Sequence, residues 1–325
     1  MGSVIIEGIK PYNEIFYKSC FFNCYFSIVK YLNQDIFAYL FNDVNAYTLN
    51  SENLINIESV PFNDPEIIAK EQGISYKKRH HSNNLIQDLK FDLKEKRPVL
   101  IWLDPYLQGN KNELITNHRR HCVLIIGFND EEQKFHIIDN KYLDNLSYER
   151  TQKTYIDIKN EYENFKDYFQ PDDNFHTYTA FEPELENKVN KNINDCIMNY
   201  LENVNINIDK LEKGLNDLTE FMQNFSNEVN TFEFLESVNN IINVKKSERY
   251  RMNSIKKHPD IDVSYVNLIV KDWEKARYII AKSYFRDEWD YQSEEHIKKL
   301  LNNIIANERC EIHRLKQNIK RGVTK

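Results

Sequence analysis

Apolar side chains in the second half of the chain recur at three- and four-residue steps. Ile208, Leu211, Leu215, Leu218, Phe221, Met222 and Phe225 fall on one stripe, as an amphipathic helix requires. Asp262 to Phe285 repeats the pattern with Tyr265, Leu268, Ile269, Trp273, Ala276, Ile279 and Ile280. Glu294 to Arg321 does so with Ile297, Leu300, Leu301, Ile304, Ile305 and Ile312. The first half mixes periods. Asn23 to Leu32 predicts a helix with Cys24, Ile28, Val29 and Leu32 inward. Asp64 to Gln72 predicts another, with Asp64 as N-cap, Pro65 as first helical residue and Gly73 as C-cap. Leu85, Ile86, Leu89 and Leu93 predict a third over Asn83 to Lys96. Three apolar runs then read as strands: Pro98 to Leu103, Cys122 to Gly127, and Lys134 to Asp139. Asn129 to Gln133 joins the last two as a polar hairpin turn.

Helices followed by an antiparallel sheet is an α+β order, and the helix breakers divide it. Seven of the eight prolines lie at or before Pro183, and beyond it only Pro259, Gly214 and Gly322 interrupt the chain. The expectation is an α+β domain over residues 1–183 and a helical bundle over 184–325. A chain of 325 residues also exceeds what one core usually fills. Hydrophobic content of 41%, with 19 Phe and 20 Tyr, supplies such cores and argues against disorder. The net charge of −7 has the wrong sign for a general nucleic-acid binder. No apolar run approaches bilayer length, and no basic start leads into a long apolar run. A cytoplasmic protein is expected, with neither membrane nor nucleic acid as partner.

Five cysteines, at positions 20, 24, 122, 196 and 310, form no disulfide framework, so the question is whether one is a reactive thiolate. Cys20 stands just before the first predicted helix. A helix N-terminus offers unpaired N–H groups and partial positive charge, which stabilise a thiolate and then a developing oxyanion. A lone cysteine is equally a small buried apolar residue, and Cys24, one turn on, is read that way. His121 opens a strand and is held on a rigid element, whereas His118 falls on the preceding loop and is less firmly placed. Either is otherwise a surface histidine. Asp139 ends the next strand. Within a hairpin the start of one strand lies beside the end of the other, making His121 and Asp139 cross-strand neighbours. A carboxylate there holds the imidazole tautomer and stabilises the imidazolium; its plainer reading is a turn-capping residue. His80 and His81, with His118, raise the question of a metal. No Cys-x-x-Cys or His-Glu-x-x-His pattern is present, and none is expected.

A Cys before a helix, a His at a strand start and an Asp ending the hairpin partner: this order resembles the papain-like superfamily. Pro98-Val99-Leu100-Ile101-Trp102-Leu103-Asp104-Pro105-Tyr106, then His121, an apolar strand and Gly127-Phe128, is similar to the butirosin biosynthesis protein H family. The likeness runs over roughly residues 10–145, with Asn33 where that family usually has a helix-ending glycine. It implies a papain-like catalytic domain in which Cys20, His121 and Asp139 form a triad. Such an enzyme takes an acyl group from the phosphopantetheine thioester of an acyl or peptidyl carrier protein. It passes the group to an amine or diamine, forming an amide in specialised, nonribosomal biosynthesis. No cofactor is bound; phosphopantetheine arrives on the carrier. The Cys20 N–H supplies one oxyanion donor, with Asn13 or Tyr17 the candidate for the second. Arg119 and Arg120 are candidates for the pantetheine phosphate. The run Lys77 to His81, through Lys78 and Arg79, is either a docking patch for an acidic carrier or a solvated face. Two rivals stay open: a cysteine peptidase or thioesterase using the same site, and a non-catalytic binding protein. The helical half covers the site, forms a homodimer or shapes the acceptor pocket.

Overall fold

The protein is described by a computed structural model over residues 2–106, 109–110, 113–114, 117–141, 146–184, 192–226, 230–255, 264–286, 289 and 291–322. Asp262, the expected start of one helix, lies outside the described residues. The chain divides into two compact units, Met1–Ile36 with Glu66–Asn190, and Phe37–Pro65 with Lys191–Lys325. Unit one opens with β1 (Ser3–Ile5) and α1 (Cys20–Tyr31). The chain then gives α2 (Phe37–Leu40) and the hairpin of β2 (Asp43–Leu49) and β3 (Ile55–Pro61) to unit two. It continues through α3 (Pro65–Glu71), β4 (Ile74–Arg79), α4 (Leu85–Lys94), β5 (Val99–Leu103), β6 (Gly109–Asn110) and β7 (Glu113–Leu114). β8 (His121–Asn129), β9 (Lys134–Asn140), β10 (Tyr148–Thr154), α5 (Tyr155–Phe169) and β11 (Tyr178–Pro183) complete unit one. Unit two ends with α6 (Ile193–Ile206), α7 (Ile208–Asn224), α8 (Thr231–Ser254), α9 (Ser264–Arg286) and α10 (Tyr291–Gly322). No helix among the described residues is long and apolar enough to cross a membrane.

The class is α+β with a C-terminal helical region, but the division of the chain differs from the expected border at 183/184. Residues 37–65 belong with the helices. The reason is apolar: Tyr47, Leu54, Ile55 and Ile57 of the hairpin are buried in one core with Leu218, Ile241, Trp273 and Ile304. Gly214, in the middle of α7, allows this packing, because a Cβ there would lie 2.7 Å from the carbonyl oxygen of Tyr47.

Unit one is built on a seven-stranded sheet ordered β10-β9-β8-β5-β11-β4, with β1 also paired to β8. Every pairing is antiparallel. β8 is buried from His121 through Phe128. Successive side chains point to opposite faces, so both faces of the sheet are covered there and the run is apolar rather than alternating. α1 begins at Cys20, three residues earlier than its periodicity predicts, after Ser19 in extended conformation (φ −161°, ψ 169°). It stops at Asn33, which is left-handed with φ 54°. Asn33 N–H donates to Lys30 O at 3.1 Å and Gln34 N–H to Val29 O at 2.9 Å, the paired bonds of a Schellman stop.

Candidate active site

The segment before Cys20 is held by its own backbone. Lys18 is left-handed (φ 56°), and the Ser19 N–H turns back to Tyr17 O at 2.6 Å. Asn23, fully buried, secures the same approach from inside the helix. Its Nδ2 donates to Ile15 O at 2.7 Å, and its Oδ1 accepts from Tyr17 N–H at 3.4 Å. Cys20 is therefore the first residue of α1, partly exposed, with the free N–H groups of a helix start around it. Cys24 is fully buried and its thiol donates to Cys122 O at 3.6 Å. Burial first, then the charges of Cys20 and Asp139, push the Cys24 thiol well above its ordinary range. Of these two cysteines, only Cys20 combines exposure with a helix start.

His121 is buried, and its Nε2 donates to Asp139 Oδ1 at 2.6 Å. The hairpin register explains the meeting. Leu124 pairs with Ile138 and Ile125 with Ile137; one further step sets Val123 against Asp139. His121 is thus the diagonal neighbour of Asp139 rather than its direct partner, a separation that long side chains bridge. The Asn140 N–H also donates to Asp139 Oδ1, at 2.7 Å. With Nε2 occupied, Nδ1 is the ring nitrogen left over, and the electrostatic influence of Cys20 on this imidazole sets the sulfur close to the ring. Burial opposes the charged form of His121, but the Asp139 carboxylate and then Cys20 outweigh it and raise the imidazole to about 9. Asp139 behaves inversely: burial works against its charge, yet His121 holds the carboxyl below its usual range. A sulfur beside a stabilised imidazolium at a helix N-terminus is an arrangement suited to nucleophilic attack on a carbonyl.

The other expected residues fare differently. Asn13 is held at β10: its Nδ2 donates to Tyr148 O at 2.9 Å and its Oδ1 accepts from Tyr148 N–H at 2.8 Å, so its amide forms an extra rung on that strand. The Tyr17 ring packs, stacked on Phe26 at 5.4 Å and edge-on to Phe22 at 5.1 Å. The basic run is paired inside unit one: Lys77 with Glu182 at 3.0 Å, Lys78 with Glu66, and Arg79 with Asp88 and, at 3.9 Å, Asp92. Those pairs leave little free charge for a docking patch. Arg120 lies over the rings of Phe169 and Phe175 at 5.3 and 5.7 Å, and the Arg119 N–H donates to Asp104 Oδ1 at 3.2 Å. His80 Nδ1 meets Phe175 O at 2.8 Å, and His81 stacks on Tyr162 at 4.7 Å. Neither joins His118 in a metal-ligand group among the described residues. His118, expected to be loosely held, is bound by Asp104 at 2.6 Å.

Sequence reasoning missed three supports. Asn23 carries no local signal for its buried role. Tyr148, buried at the start of β10, has its phenol pushed up by burial and then by Cys24, Cys20, Cys122 and Asp139, so it remains a hydrogen-bond donor beside the sulfur cluster. Glu161 is buried with both carboxylate oxygens 2.7 Å from Lys153 Nζ; the i, i+8 spacing of Lys153 and Glu161 spans a strand and a helix, where no periodic pattern links them. No family model matches the chain, and no curated protein matches it.

Proposed function

We propose that the chain is a papain-like, cysteine-dependent acyltransferase that makes amides from carrier-borne thioesters. One observation carries this reading: a single imidazole, His121, is bonded to Asp139 at 2.6 Å and is raised both by that carboxylate and by Cys20 at the first turn of α1. Cys20 attacks the thioester carbon, the carrier thiol leaves with the proton of His121, and an acyl-enzyme remains. An amine then displaces Cys20 with His121 receiving a proton. Backbone N–H groups at the start of α1 receive the oxyanion. The resemblance read in the sequence of residues 10–145 to the butirosin biosynthesis protein H family points to an amine, rather than water, as acceptor. Arg119 and Arg120, on the segment leading to His121, are suited to the phosphate of the pantetheine arm.

The test is intact-protein mass spectrometry after exposure to acyl-pantetheine thioesters. An acyl adduct is expected on the wild type, absent in Cys20→Ala and slower to accumulate in His121→Ala. Free acid released at the same rate with and without added amine favours a thioesterase instead. An adduct that persists in Cys20→Ala ends the reading.

A further inference from the structure

The rim of the sheet carries a second histidine–carboxylate pair, on the other side of β8 from Asp139. Asp104 follows Leu103, the β5 residue paired with His121, and is fully buried. Its Oδ2 accepts from His118 Nδ1 at 2.6 Å, and its Oδ1 accepts from the N–H groups of Tyr106 and Arg119, each at 3.2 Å. The Asp104 N–H is held at 2.8 Å by the carbonyl of Glu161 on α5. Tyr168, two turns along the same face of that helix, stacks on His118 with ring centroids 3.5 Å apart and planes at 6°. Tyr106 stacks at 3.7 Å and 23°, and two rings this close cannot share one face of the imidazole. Both faces and the Nδ1 edge are therefore covered, yet the side chain keeps 25% of its surface exposed. The edge left over bears Nε2, whose lone pair the Nδ1–H tautomer leaves available. His118 and His121 are three residues apart, so their Cα atoms lie within about 11 Å of each other.

We propose that His118 is the base for the acceptor amine, its Nε2 taking the first proton from an incoming alkylammonium ion while His121 serves the sulfur. The inference rests on the acyl-enzyme reading above. Proton balance is its chemical ground. An ammonium nitrogen that becomes an amide nitrogen loses two protons, whereas the resting Cys20–His121 pair takes back only the one it gave to the departing carrier thiol. His118 accepts the first proton and frees the nitrogen lone pair. A C–N bond forms at the thioester carbon as the carbonyl π pair moves to oxygen. When that pair returns, the C–S bond breaks and Cys20 leaves as thiolate. His121 takes the second proton from nitrogen, and His118 releases its own to solvent. Water as acceptor needs no such second base. Asp104 is a positioning residue that fixes the tautomer, as Asp139 does for His121.

The experiment compares two acceptors on one adduct. Wild type and His118→Gln are acylated on Cys20 with a butanoyl-pantetheine thioester, then offered propylamine, charged at neutral pH, or hydroxylamine, already neutral there. The ratio of propylamine to hydroxylamine transfer is expected to fall on the order of 100-fold in His118→Gln. Because both reactions draw on the same acylated protein, partial misfolding leaves the ratio unmoved. An unchanged ratio overturns the assignment, as does a wild-type adduct that hydrolyses without ever transferring to propylamine. Absence of any Cys20 adduct in the wild type is a different failure: it removes the acyl-enzyme reading, and this inference with it.

Discussion

At His121 burial and its two neighbours pull in opposite directions, and the neighbours win, raising the imidazole to about 9. Asp139→Asn keeps the shape of the larger favourable neighbour and removes its charge. The His121 midpoint, followed by NMR, is expected to fall back to the ordinary value of about 6.5 or lower, because burial is then opposed less. Acylation of Cys20 is expected to slow on the order of a thousandfold or more. A midpoint still near 9 in the variant assigns the shift to something other than Asp139. The same pair makes stability depend on pH. The folded His121 value lies above the unfolded one, so its contribution is complete below about 6.5 and is lost as pH rises through about 9. Asp139 is depressed, so its contribution is present above the ordinary carboxylate value and is lost as pH falls through the lowered one. Cys20, His121 and Asp139 were legible because each sits at the end of an element that local pattern defines, and one hairpin joins the last two. The tie of Asn13 to β10 was not legible because its partner, Tyr148, lies 135 residues away, and no local pattern encodes that pairing.

Between elements, unit two is tied together by a buried polar cluster as well as by its apolar core. Lys245 of α8, 3% exposed, lies 2.8 Å from Glu308 of α10 and 3.0 Å from Glu248. The Tyr47 hydroxyl on β2 donates to Glu308 at 2.7 Å and accepts from Trp273 Nε1 of α9 at 3.1 Å. Lys245→Met strips this countercharge from two carboxylates that water cannot reach freely, and a loss of about 3–5 kcal/mol is expected. Urea unfolding measures it; a loss below about 1 kcal/mol would mean the carboxylates find other relief. Adding Glu308→Gln to Lys245→Met should recover part of the loss. The helices α7, α9 and α10 were readable because their apolar stripes are wide and regular. The two edge strands were not. β10 (Tyr148–Thr154) is exposed over Glu149 to Gln152, and β4 carries Lys77, Lys78 and Arg79. Polar, charged edges discourage pairing with other chains, and the same polarity erases the hydrophobic alternation by which a strand is recognised. The β2–β3 hairpin escaped for another reason: its apolar residues acquire an inside only against helices from the far end of the chain.

Across the whole molecule, the chain passes between its two units three times, at 36/37, 65/66 and 190/191. Unit one is consequently not a continuous stretch of sequence, and a cut at 183 divides unit two rather than separating the units. A chain of residues 1–183 retains the hairpin but loses the helices that bury Tyr47, Leu54, Ile55 and Ile57. Their exposure creates an apolar patch of the kind that drives association. Such a chain is expected to elute as aggregate in size-exclusion chromatography and to melt without a cooperative transition. Joining residues 1–36 to 66–190 through a short linker should do better. The ends to be joined are near one another, because Gln72 Nε2 donates to Asp35 O at 2.6 Å, and the six residues of helix between 66 and 72 rise only about 9 Å. A Gly/Ser linker of about five residues spans that gap without strain. The spliced chain is expected to be monomeric, to melt cooperatively, and to keep Cys20 more reactive towards iodoacetamide than Cys24, since α1, β8 and β9 all lie within it. A monomeric, cooperatively melting 1–183 chain beside an aggregated splice would reverse the assignment of residues 37–65.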